Sequence, residues 1–121
     1  MKDNKLERRF VCGGMIAVVS AEIGSGLSTV TFEGAKTLSV PVGRINSFRR
    51  FTHDITESTE MLAWMSKLLP AMTATFTDEG SLSHGSTVPV GLVRPAAIEL
   101  QKLGLVESQE LPNTFLWRQK Q

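Results

Sequence analysis

"AIELQKLGLVESQELPNTFLWR", residues 97–118, carries a helix period, a glycine and a strand alternation in direct succession. Ala96, Ala97, Leu100 and Leu103 recur at the 3.6-residue spacing of an apolar helical stripe. Pro95 suits the first position of that helix, where its missing N–H costs nothing, and Gly104 is the expected left-handed cap that lets Leu105 fold back on Leu100. Beyond the glycine, "LVESQELPNTFLWRQ" reads as two strands around a turn at Pro112 and Asn113. The predicted order is helix, glycine stop, hairpin.

Working back along the chain, the centre gives the clearest helix. Asp54 caps it with Glu57 three residues on, and acids in a first turn suit the helix dipole. Ser58, Met61, Leu62, Met65, Leu68 and Leu69 then share one stripe with Trp64 at its margin, until Pro70 stops the run. Between this helix and Pro95 the signals thin out. "MTATF", residues 72–76, alternates like a short strand, and Asp78, Glu79, Gly80 and Ser81 read as a turn. A short helix around Leu82 stays an open question.

The amino-terminal part reads as a small antiparallel sheet. A first strand covers residues 9–23, bent at Gly13 and Gly14. A hairpin with a three-residue loop, residues 34–36, puts Phe32 opposite Leu38 and Val30 opposite Val40, keeping the apolar residues on one face. Pro41 marks an edge or an end. Within this part "VVSAEIGSGLST", residues 18–29, resembles the P-loop of nucleotide hydrolases. Leu27 stands where that loop needs lysine, Ala21 stands in place of its first glycine, and the following "STVTFEG" alternates like a strand rather than opening a helix. A tight glycine turn between strands is therefore predicted, with no nucleotide.

Composition bounds the rest. At 121 residues, with 41% apolar and 21% charged residues, the sequence is that of one globular domain. Its longest nearly apolar run, residues 15–19, is far short of a bilayer span. The amino end lacks the apolar centre of a secretory signal, so a cytoplasmic location is expected. Cys12 is the only cysteine, which excludes an intrachain disulfide and a thiolate zinc cluster. Residues 1–50 carry eight Lys or Arg and four Asp or Glu, while residues 51–121 carry five and eight. The base-rich half is the amino half. There "GRINSFRRF", residues 43–51, interleaves Arg44, Arg49 and Arg50 with Phe48 and Phe51, a pattern that suits a phosphate backbone with a ring stacked on a base.

From residue 54 to 119 the chain resembles the winged-helix family of DNA-binding regulators, carried by the Leu-Gly-Leu-Val helix end, one strand, a wing and an apolar second strand. The resemblance implies that the helix before Gly104 enters the major groove and that the hairpin tip touches the adjacent backbone or minor groove. Carried over, it places Arg94, Gln101 and Lys102 near DNA, Asn113 at the wing tip and Arg118 on the return strand. The sequence departs from the family where "SLSHGSTVP" is a poor helix in the position that needs one, and Glu107 and Glu110 put acids near the phosphates. The fold class expected is α+β: a small antiparallel sheet over residues 9–45, then a winged-helix-like half over 54–119 ending in a β-hairpin, in a single domain over 1–121.

No enzyme is expected. Cys12 with His53 or His84 offers residue types without a motif, the two histidines lie 31 residues apart, and Glu57 and Glu60 suit a solvated helix face. No cofactor or metal is implied. The functional expectation is a small regulator binding duplex DNA; the alternative is a protein-binding module or inhibitor, or a homodimer, through a hairpin edge or the Met and Trp helix face.

Overall fold

Residues 5–34 and 45–120 are described by a computed structural model. The strand expected after residue 36, with its pairs to Phe32 and Val30, and Pro41 and Arg44 lie outside them.

The amino-terminal sheet has the order β1-β2-β3, all antiparallel, from β1 (Lys5–Cys12), β2 (Met15–Glu22) and β3 (Ser28–Gly34). The single bent strand expected over residues 9–23 is instead a hairpin: Cys12 pairs with Met15 across Gly13 and Gly14. Gly13 takes φ 62°, the left-handed conformation that primed two-residue turns require, so the glycine pair reverses the chain rather than bulging it. The glycine stretch at residues 24–26 is a turn between strands, as its lack of a following helix implied. It joins β2 to β3, where Val30 pairs with Val19 and Phe32 with Ala17.

Helix α1 (Ile45–Ala71) carries the stripe read from the sequence: Leu62, Met65 and Leu68 are wholly buried, with Ser58 and Leu69 nearly so. It starts nine residues before Asp54, which is therefore not its cap. No glycine or proline interrupts residues 45–53, and buried Phe51 and Ile55 extend the apolar stripe back by another turn. Pro70 lies one residue inside the helix end, and its effect is specific. Lacking an N–H, it leaves the carbonyl of Ser66 without an intrahelical donor. That carbonyl accepts the N–H of Gly24 at 2.8 Å, and the Ser66 hydroxyl, fully buried, accepts the N–H of Gly26 at 3.0 Å. The glycine turn thus moors the front sheet to α1. At Gly26, φ is +69°, and a Cβ would meet the Lys67 side chain at 2.9 Å.

After α1 the expected strand over residues 72–76 is absent; β4 is Thr77–Asp78 alone. The Thr73 hydroxyl accepts the N–H of Thr75 at 3.2 Å, a local bond that competes with extended pairing. Asp78 to Ser81, read as a turn, is the start of α2 (Glu79–Ser86), capped where the Asp78 carboxylate accepts the Ser81 N–H at 3.0 Å. Serines that lower helix propensity in isolation here satisfy its ends: Ser83 donates to Val88 O at 2.6 Å and Ser86 Oγ accepts the Val88 N–H at 3.2 Å. The C-cap, Thr87, sits at φ 64°, a strained position for a β-branched residue. Thr87→Gly is accordingly expected to raise stability by about 1 kcal/mol, a rise of several degrees in Tm, read by thermal melting.

Helix α3 (Val90–Lys102) begins five residues before Pro95, which is inside the helix rather than at its start. Pro89 caps it, and both Gly91 and Pro95 are exposed, so water can take the Gly91 carbonyl that Pro95 cannot serve. Val93, Ala96, Ala97 and Leu100 form its buried face; Leu103, expected there, is the C-cap and is exposed. Gly104 holds φ +78°, with Gly104 N donating to Gln101 O and Leu105 N to Leu100 O, the paired bonds of a Schellman ending.

The chain closes with β5 (Val106–Leu111) and β6 (Thr114–Gln119), paired across Pro112 and Asn113 as the sequence implied. The second sheet has the order β4-β6-β5. Gln119 ties it to the end of α1: its side-chain amide donates at 2.9 Å to the carbonyl of Leu69, which also accepts the Met72 N–H, and at 2.8 Å to that of Met72, one residue past the helix. One apolar cluster runs from Leu6 and Val19 through Leu62 and Met65 to Leu100 and Trp117, so the α+β chain shares one core, with the front sheet packed on α1 and the second sheet packed on α2 and α3.

Candidate nucleic-acid interface

Capping, helix phase and the hairpin register place the predicted contact residues other than Arg44, which lies outside the described residues. On α3 the buried stripe leaves Val90, Arg94, Ile98, Gln101 and Lys102 facing outward. The hairpin adjoins this face, since Gln101 Nε2 donates to Ser108 Oγ at 3.3 Å and the Arg94 guanidinium lies over the Phe115 ring, 4.6 Å from its centroid.

The bases of this region are engaged by acids of the same fold. Arg94 forms a two-pronged pair with Glu79, Nε to Oε2 and Nη2 to Oε1, both at 2.9 Å. The buried indole of Trp117 donates to the same carboxylate at 3.1 Å, so α2, α3 and β6 meet on Glu79. The Arg94 guanidinium, opposed by partial desolvation and aided by the Trp117 N–H, holds the Glu79 carboxyl below its ordinary range. Lys102 pairs with Glu99 at 3.0 Å, and Arg8 of β1 bonds the same carboxylate; together, Lys102 first, they hold Glu99 below its ordinary range as well. Arg118 pairs with Glu107 at 2.7 Å and stacks on Phe76 at 4.2 Å.

Of the remaining candidates, Asn113 is exposed at the hairpin tip, while Arg118 on β6 is five residues further on, roughly 17 Å away by strand rise. Arg49 and Arg50 lie in the second turn of α1, exposed and without an ion pair among the described residues. The sequence reading missed Glu79 and Glu99 as partners. Glu99 with Lys102 is an i,i+3 pair and was open to notice; Glu79 lies 15 residues from Arg94, and no local pattern links them. Among the described residues no three His, Cys, Asp or Glu side chains gather as a metal site, and no helix is long and apolar enough to cross a membrane.

No known family, curated protein or solved structure matches this chain.

Proposed function

We propose that the chain is a small non-enzymatic regulator that binds duplex nucleic acid through a winged-helix arrangement. The observation that carries the reading is the succession α1, β4, α2, α3, β5, β6 with sheet order β4-β6-β5. Helix α2 fills the position before the recognition helix that the sequence left doubtful, and β4 braces the wing. In this reading the outward face of α3 enters the major groove, the hairpin tip at Asn113 reaches the neighbouring backbone, and Arg49 and Arg50 supply unpaired cations for phosphate.

The ion pairs set the expected strength. A phosphate must displace a carboxylate to reach Arg94, Lys102 or Arg118, so few counterions are released per complex. Duplex binding is expected near 50 mM salt with a logarithmic salt slope no steeper than about −5, and Arg49→Ala with Arg50→Ala is expected to flatten it by about 2. No binding at that salt would end this reading.

A second reading has its own support. Val90 is 62% exposed and Ile98 39%, beside bases already neutralised by Glu79 and Glu99, a surface that suits a protein partner or a second copy of the chain. Light scattering over a dilution series separates the two: a concentration-dependent mass that Ile98→Asp abolishes favours association, and a constant monomer removes the homodimer.

A further inference from the structure

Between β1, α1 and α3 lies an open cleft of about 480 Å³, within the size range of small-molecule sites. Its apolar lining is Phe10, Met61, Trp64 and Leu92, partly buried residues packed against the main core. Its charged lining is one-sided: Asp54, Glu57, Glu60 and Glu99 against Arg8 alone, four acids to one base. Arg8 and Lys102 are both bonded to Glu99, which leaves that carboxylate satisfied. The other three stand along one side of α1 at successive steps of three residues. His53 meets Glu57 at 3.1 Å, and Asp54 and Glu60 have no ion pair among the described residues. Like charges at this helical spacing repel each other, and a cation between them relieves that repulsion.

We propose that this cleft binds a small lipophilic cation, a primary ammonium on an aromatic body. The ring lies against Trp64 and Met61, and the ammonium sits among the carboxylates of Asp54, Glu57 and Glu60. The occupant follows from charge complementarity together with the aromatic wall. An anion meets three carboxylates, and a neutral ligand gains only the apolar contact. A cation gains the apolar contact, the carboxylates and the indole face. The assignment stands independently of the nucleic-acid reading, since none of these residues belongs to the outward face of α3.

Two ligands of matched shape, 4-phenylbutylammonium and 4-phenylbutanol, test it by NMR titration of the full chain. The protein has two tryptophans. Trp64 lines the cleft, while Trp117 is 1% exposed and reports on the fold. The ammonium is expected to shift the Trp64 indole resonance saturably and to bind about tenfold more tightly than the alcohol. Glu57→Gln with Glu60→Gln is expected to bring the two ligands within about twofold of each other, with the Trp117 resonance unmoved. Equal affinity for both ligands in the native chain, an unchanged ammonium affinity in the double variant, or a Trp64 resonance that does not respond overturns the proposal.

Discussion

Trp117→Ala is expected to remove about 3–5 kcal/mol of folding stability, the largest loss at any single position considered. Trp117 is 1% exposed, lies on the central strand of the second sheet between Thr77 and Ser108, and stacks on Phe115 with ring centroids 6.0 Å apart. Its removal leaves a cavity that the paired strands cannot close without losing register. Domains of this size hold on the order of 5–15 kcal/mol in all, so a large share of the margin goes. Chemical denaturation reads the loss as a lower midpoint. Trp117→Phe separates packing from hydrogen bonding: most of the volume stays, the indole donor goes, and the expected cost is about 1–2 kcal/mol. A Trp117→Ala chain with an unchanged midpoint would contradict the docking of the second sheet described above.

Glu79→Ala is the next largest. Its side chain is 14% exposed and accepts three hydrogen bonds, two from Arg94 and one from buried Trp117, so truncation unties α2, α3 and β6 and leaves the indole N–H unpaired. The expected cost is about 2–3 kcal/mol. The same carboxylate makes stability depend on acidity. Its folded pKa lies below its unfolded one, so its contribution is complete above the unfolded value. It is lost as pH falls, because the unfolded chain takes up the proton first. Glu99 acts in the same direction, held low by Lys102 and Arg8, and so does Asp78, held low by the Ser81 hydroxyl and N–H. The denaturation midpoint is expected to fall below about pH 4.5, and Glu79→Gln to flatten that fall while lowering the plateau above it. A native profile flat to pH 3 would show that these pairs hold no differential affinity for the proton.

The hairpin and the last helix end were legible because their causes are local. A turn at Pro112 and Asn113 fixes which residues of β5 and β6 face each other, Glu107 opposite Arg118 included, and Gly104 ends α3 by its own backbone freedom. The stripe of α1 was legible for the same reason, since period alone aligns Leu62 with Met65 and Leu69. Helix starts were not. Asp54 and Glu57 satisfy a capping pattern, yet the same residues serve equally well as exposed positions of a longer helix, and only the packing of Phe51 and Ile55 decides between these. Helix α2 was hidden because its serines are poor formers until Val88 and Leu82 supply partners for their hydroxyls. The candidate interface suffered most. Arg94 reads as a free base in sequence, and only folding brings Glu79 against it from across the α2–α3 turn.

The bond between Gly24 and the Ser66 carbonyl exists because proline at position 70 withholds a donor, so one tie between front sheet and long helix is written in main-chain atoms. Such a joint is indifferent to the chemistry of Leu27, whose side chain is 74% in solvent, and intolerant of change at Gly26. A protein engineer seeking a display position therefore has one at the crest of that turn, flanked by a residue that must not be touched.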